Sequence, residues 1–366
     1  MPTSRSADGD DPPPRLLKRW GIADAAPPAP TGPGRWRVDA GSGSYFLKEY
    51  GEGRRRVAFR HSVTAALDAA GLPVLAPVPA ARGGRTLVTA GGRGFALYPW
   101  VAGRRRGGLE LTFAQCERLG ALLGELHAAM DRLTAPVQQS LLVPTPRAAD
   151  AAAAIDGMLA ALPGRAAPAG GGNDFAALTE RRLLERRGLL AELADHQPPE
   201  IEVSTVGHLH GSFHEGNLRY GGSGNVTAVL GWDAMTTGPV AGELVRAAAA
   251  LFACEDERGL DLDRVISFVR GHRLAFPLDA GQIQAAVHRE WWERLCDVAP
   301  LRHRYLGDGE AAGDDPAAST RAAALVGWWS AHLERTLDAF AAPYTETPAE
   351  ASGAGDGLAH DGHAYG

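Results

Sequence analysis

The stretch that most constrains this chain is residues 206–246, VGHLHGSFHEGNLRYGGSGNVTAVLGWDAMTTGPVAGELVR. Two short apolar runs, Val206–Leu209 and Val226–Leu230, enclose a loop dense in His, Asn and Gly. Runs of that kind predict strands that hold a polar turn on display, and such turns are where chemistry usually sits on a rigid scaffold. Leu218-Arg219-Tyr220, the turn Gly221-Gly222-Ser223-Gly224-Asn225 and the second run read as strand, turn, strand. The Gly-rich turn is not a phosphate loop, because no helix follows it. His208 and His210 sit two apart, so a strand projects both to one side, and with His214 they form a candidate zinc set.

At 366 residues the chain can form one large two-lobed domain or two ordinary ones. A net charge of −6 and a pI near 6.1 exclude a global attraction to nucleic acid or to an anionic membrane, and the runs Arg54–Arg56 and Arg104–Arg106 read as solvated surface. No stretch has the length and apolarity of a membrane span, and MPTSRSADGDDPPPR lacks the apolar core of a signal peptide. The expected location is cytoplasmic. Cys116, Cys254 and Cys296 are far apart and odd in number, which argues against a disulfide framework and predicts buried free thiols.

Residues 1–34 read as a largely disordered segment and Pro/Ala/Gly linker, broken by a helix-like stretch at Arg15–Gly21. Trp36–Val38 and Tyr45–Leu47 read as a hairpin, with Lys48 ending its second strand. Val57–Ala70 has helical spacing and stops at Gly71-Leu72-Pro73. Thr86–Thr89 and Gly94–Tyr98 read as strands. Thr112 can cap a helix whose apolar face runs through Leu119, Leu122, Leu123 and Leu126, with His127 packed at its end. Residues 148–162, 178–193 and 247–295 are helical in pattern, and Trp291, Trp292, Trp328 and Trp329 suit the seams between packed helices. Residues 163–173 and 307–318 read as loops, and 343–366 as a disordered tail.

On these residues the chain resembles the aminoglycoside phosphotransferase and choline kinase superfamily. That family's catalytic loop reads His-Gly-Asp-x-His-x-x-x-Asn, followed after a hairpin by Ile-Asp-Trp. The matching residues are His210, Gly211, Ser212, His214 and Asn217, then Leu230, Gly231 and Trp232. Gly238-Pro239-x-x-Gly242-Glu243-Leu244 resembles the following Asp-Pro-x-x-Asp-Leu, and Leu97–Gly103 resembles the hinge. The resemblance implies a two-lobed, protein-kinase-like α+β fold, with a small antiparallel β lobe and hinge at 35–103 and a mostly helical large lobe at 104–342. It implies that Lys48 reaches nucleotide phosphates, that Tyr98 and Trp100 belong to a hinge that receives adenine, and that His210 and His214 serve the architecture of the loop.

The resemblance also implies where the chemistry departs. Ser212 stands where relatives place the aspartate that orients the acceptor hydroxyl, and Gly231 where they place the magnesium aspartate. The 57–70 helix offers no glutamate for Lys48. A serine is no base near neutral pH, and losing base assistance costs about 10² to 10⁴ in rate. Two acids could stand in: Asp233, which with Asn217 would hold magnesium, and Glu215, which would act as base. The leading expectation is a pseudokinase that binds a small molecule, a peptide or a protein partner in the inter-lobe cleft, with use of ATP and magnesium in question. One alternative is an active ATP-dependent phosphotransferase acting on a small-molecule or peptide hydroxyl. Another is different chemistry in the same cleft, such as nucleotidyl transfer or a peptide lyase or cyclase step.

Overall fold

The chain was analysed as a computed structural model, which describes residues 11–342 apart from 14, 52, 135–140, 143, 162–172, 201, 204, 255–257 and 299–315. The expectations for 1–10, 163–172, 307–315 and 343–366 lie outside the described residues.

Alternation of apolar and polar residues along Arg35-Trp36-Arg37-Val38 puts Trp36 and Val38 on one face of a strand, and there they bury with Leu47, Phe95 and Leu97. The small lobe is an antiparallel sheet in the order β1-β2-β3-β5-β4, made of β1 (Ala29–Gly32), β2 (Arg35–Ala40), β3 (Gly43–Tyr50), β4 (Val88–Ala90) and β5 (Arg93–Pro99). Helix α1 (Arg54–Ala69) connects β3 to the next segment. β3 continues to Tyr50, so Lys48 lies inside the strand, opposite Ala96, and not at its end. β4 begins at Val88, later than the run 86–89 suggested.

Within residues 1–34 the helix-like stretch forms, and the linker after it gives Ile22 to the core and β1 to the sheet. Leu16–Trp20 forms a 3-10 turn, and Leu16, Trp20 and Ile22 join the small-lobe core at 3%, 8% and 7% exposure. Burying three such side chains contributes about 1.5–3 kcal/mol each, enough to hold a segment that Pro and Ala otherwise loosen. Pro30 fits β1 because an edge strand does not need every ladder N–H.

The large lobe packs α2 (Phe113–Leu133) against α6 (Leu262–Ala275), with α3 (Ala148–Ala161), α4 (Asn173–Glu192), α5 (Val240–Phe252), α7 (Ala280–Cys296), α8 (Pro316–Ala331) and α9 (Leu333–Ala341) around them. Thr112 caps α2, accepting a hydrogen bond from the Gln115 N–H at 3.3 Å. Gly120 and Gly271 allow the α2–α6 approach: a Cβ at Gly120 would lie 1.8 Å from the Phe268 carbonyl oxygen, and one at Gly271 1.9 Å from that of Glu117. Trp291, Trp292 and Trp329 are buried in this core, as the seam reading expects, and Trp328 packs partly buried beside them.

Two short strand pairs build the functional loop, and two single bridges join it to the rest of the chain. The segment 206–239 gives β8 (Val206–Leu209), β9 (Leu218–Tyr220), β10 (Val226–Val229) and β11 (Thr236–Pro239), following the two-residue strands β6 (Leu141–Leu142) and β7 (Glu202–Val203). β9 pairs with β10 as a hairpin, and β8 pairs with β11. Two links tie the lobes together. Val74 bridges Val229 while Val78 bridges Leu97, and Arg104 bridges Tyr220 after the hinge. Cys116 and Cys254 are buried and Cys296 partly so, as the sequence reading expects of cysteines outside a disulfide framework. Among the described residues no helix is long and apolar enough to cross a membrane.

Candidate active site

The loop 210–217 is held from beneath by a buried carboxylate. Glu243, in the first turn of α5 and 2% exposed, accepts hydrogen bonds from the His210 N–H (2.9 Å), the Gly211 N–H and His127 Nε2 (2.7 Å). His127 Nδ1 lies 2.9 Å from His272 Nε2, a meeting made by the close α2–α6 crossing. Burial pushes the Glu243 carboxyl upward, but the His127 hydrogen bond and the surrounding histidine charge outweigh it, so the group sits below the ordinary glutamate range. Burial, then the neighbouring His127 charge, holds His272 well below the usual histidine range.

His210 is fully buried. Its Nε2–H donates to the Leu230 carbonyl at 2.7 Å and its Nδ1 accepts from the Ser212 N–H at 3.2 Å, an arrangement that requires the neutral ring. Burial lowers its pKa accordingly. His214 Nδ1 accepts from the Gly216 N–H at 3.1 Å and so caps the turn leading to Asn217. Neither ring nitrogen set is arranged as a zinc site, and His208 instead packs its ring 5.7 Å from that of Phe59.

Asn217 Nδ2 donates to the Ser212 carbonyl (2.8 Å) and to Ser212 Oγ (3.1 Å). Its amide lies over Gly231. That glycine has φ +84°, and a Cβ built there would fall 2.2 Å from Asn217 Nδ2. The backbone and the space at position 231 therefore both favour glycine.

Between the lobes lies a cleft of about 370 Å³, within the range of small-molecule sites. Lys48, Tyr98, Trp100, Asn217, Gly231 and Asp233, all candidates from the sequence, line it together. Lys48 Nζ forms an ion pair with Asp233 and sits 4.6 Å over the Tyr50 ring. Tyr98 Oη lies 2.6 Å from Tyr50 Oη and 3.0 Å from His61 Nε2, and His61 Nδ1 reaches Thr86 at 2.8 Å. Burial, reinforced by the positive charges of Lys48 and Arg60, pushes His61 down to about 4 against the opposing pull of Asp233. Trp100 lies beneath the Arg37 guanidinium at 4.8 Å, and its N–H donates to the Ser44 carbonyl at 3.0 Å. Pro99 has no N–H, so neither Pro99 nor Trp100 offers a backbone donor to a ligand.

The remaining candidates lie elsewhere. Ser212, His210 and His214 form the loop beneath the cleft wall and are not among its lining residues. Glu215 points away as well: its Oε2 approaches Gly107, where a Cβ would lie 3.5 Å from it. The sequence reading missed Arg35, Arg60, Arg105, Arg219 and His61, all of which line the cleft. Helical spacing puts Val57, Arg60, His61 and Thr64 on one face of α1, a signal that could have found two of them. The donors for a hard divalent cation are few: Gly231 has no side chain and Asp233 is paired with Lys48, so the Asn217 amide oxygen stands without a second oxygen ligand free of a cation. Among the described residues no three His, Cys, Asp or Glu side chains cluster as a metal site.

These groups predict an acid-sensitive fold. For His61, His210 and His272 the folded-state pKa lies below the unfolded value, so the unfolded chain binds more protons in that window and stability is lost as pH falls from about 6.5. Glu243 adds in the same direction, its contribution disappearing as pH falls through its lowered pKa. Urea midpoints measured downward from neutral pH are expected to fall, with a shallower slope in His272→Asn.

A comparison with curated proteins finds no match. Among solved structures the chain is similar to spectinomycin phosphotransferase APH(9)-Ia in complex with ADP and spectinomycin, at 15% identity and a TM-score of 0.58, covering 86% of this chain and 96% of that one. It is similar to an aminoglycoside phosphotransferase of Alicyclobacillus acidocaldarius at 12% identity and a TM-score of 0.55, covering 90% and 94%. Amicoumacin kinase in complex with AMP-PNP, Ca²⁺ and amicoumacin gives 16% identity and a TM-score of 0.53, covering 87% and 92%. Likenesses at this identity establish the two-lobed kinase-like fold. The model of the phosphotransferase enzyme family, APH, matches residues 31–267, well over half of the chain. On that match the chain belongs to the phosphotransferase enzyme family.

Proposed function

We propose that this chain is a catalytically degenerate family member, which binds a small molecule, peptide or protein partner between its lobes without transferring phosphate. The observation that carries the reading is position 231, which holds glycine at φ +84°, where any side chain is strained and a carboxylate would displace the Asn217 amide that lies over it. Ser212 supports it, being hydrogen-bonded to Asn217 and no base near neutral pH. Relatives whose structures carry ADP with spectinomycin, or AMP-PNP with Ca²⁺ and amicoumacin, suggest the cleft as the binding place. We place the small lobe and hinge at residues 15–103 and the large lobe from 104 onward.

Purified protein offered ATP, magnesium and a panel of hydroxyl-bearing small molecules and peptides is expected to give no transfer above that of Lys48→Ala. Transfer that Lys48→Ala abolishes would overturn the proposal. One observation favours a second reading, an active phosphotransferase: Asp233 lines the cleft beside Lys48 and could turn to a cation. That reading predicts that Asp233→Ala abolishes magnesium-nucleotide binding, whereas the degenerate reading predicts that binding survives.

A further inference from the structure

Cationic side chains dominate the cleft. Arg35, Lys48, Arg60, Arg105 and Arg219 line it against a single carboxylate, Asp233, which is already paired with Lys48. A kinase-like site that works through magnesium needs carboxylates to hold the cation, and the cation in turn neutralises the phosphates. Here the positive charge resides in the walls themselves.

Two of these cations are forced together by the backbone. After the hinge, the Arg104 N–H donates to the Tyr220 carbonyl at 3.1 Å and the Tyr220 N–H donates back to Arg104 at 3.0 Å. This reciprocal pair sets Arg105 beside Arg219 across a two-strand bridge. Gly103, with φ +155°, permits the approach: a Cβ there would lie 3.2 Å from Arg219 Cβ and from the Tyr220 carbonyl oxygen. Arg219 is fixed by hydrogen bonds from Nη1 to the carbonyls of Gly216 (3.1 Å) and Leu218 (2.9 Å). Among the described residues no carboxylate pairs with Arg105 or Arg219, although the adjacent Arg106 has Glu110. Like charges facing each other across strands are destabilising, and an anion between them relieves the repulsion. In keeping with this, Arg219 is held below the ordinary arginine range, by burial first and then by the charge of Arg105.

We propose that the cleft takes a polyphosphate-bearing ligand through guanidinium and ammonium groups alone, without a divalent cation, and that Arg105 and Arg219 form an anion subsite at its hinge end. The inference rests on reading the cleft as a binding site, but it does not require the absence of transfer.

The test is isothermal titration of the full chain with ATP and with inorganic tripolyphosphate, each in EDTA and in excess magnesium. Binding is expected in EDTA, no weaker than in magnesium. The double variant Arg105→Gln/Arg219→Gln is expected to lose about tenfold or more in affinity, as removal of charge-assisted hydrogen bonds does, with a thermal melt confirming that it folds. Asp233→Asn is expected to tighten binding in EDTA, because it removes the carboxylate that competes for Lys48. Equal affinity for the two probes would assign recognition to the phosphate chain, and tighter ATP binding would assign it to a nucleotide; both sustain the proposal. Binding that requires magnesium, no binding of either probe, or an unchanged double variant would overturn it. Phosphoryl transfer alongside metal-free binding would remove the degenerate reading and leave this one standing, and magnesium-dependent binding without transfer would do the reverse.

Discussion

Gly231→Asp is expected to destabilise the chain by about 2–4 kcal/mol, the combined effect of a non-glycine residue at φ +84° and a side chain driven into Asn217. The substitution supplies a carboxylate at the position where the family resemblance expects one, so the intuitive expectation is a gain of metal binding. The geometry argues otherwise. Asn217 would have to leave Ser212, to which it donates at 2.8 and 3.1 Å, and would lose its contact with His214 Nε2 at 3.2 Å. Urea unfolding reads the loss of stability, and titration of manganese as a magnesium surrogate reads the absence of a gained site. A variant as stable as the parent, or one that binds the cation tightly, would show that position 231 adapts readily and would weaken the degenerate reading at its source.

Glu243→Ala should have the other large effect, about 3–5 kcal/mol, since it strips two backbone N–H groups and His127 of a buried charged acceptor. Glu243→Gln should fall between the two, because an amide accepts through one end only. A global unfolding measurement gives the magnitude. Hydrogen exchange gives the location: the amides of His210 and Gly211 should lose protection first, while β2 and β3, in the separate small-lobe core, lose protection only with global unfolding. Uniform loss everywhere would make Glu243 an ordinary core residue instead of the anchor of the loop.

Much of the architecture was legible in the residues, because it follows from local periodicity. The Thr112 cap, the helix through His127, the hairpin after Asn217 and the buried tryptophan seams all rest on spacing within a few residues. The loop frame was legible in part, since His210 and His214 each accept from an N–H two residues on, while the bonds from His210 to Leu230 and Glu243 need the folded chain. What stayed hidden depends on long-range placement. No local pattern says that Asp233 meets Lys48 across 185 positions, or that Glu215 turns toward Gly107 instead of the cleft. The Arg105–Arg219 juxtaposition exists only once the hinge folds onto β9. The anchoring of residues 16–22 was hidden for a related reason: the sequence shows a helix-like stretch followed by a Pro/Ala-rich linker, but only the folded sheet shows that Leu16, Trp20 and Ile22 cover it.

That N-terminal packing also matters for how the chain is handled. The family model begins at residue 31, beyond Leu16, Trp20 and Ile22. A fragment trimmed to that boundary would lose the plug from one end of the small lobe and present Trp36, Val38 and Phe95 to solvent, a sticky surface of the kind that drives precipitation. It would also cut the hydrogen bond from Trp20 Nε1 to the Val78 carbonyl (3.0 Å), and Val78 lies on the strap that runs from Leu97 to Val229. A tether outside the recognised domain thus steadies the joint between the two lobes, and homology alone would place the scissors on the wrong side of it.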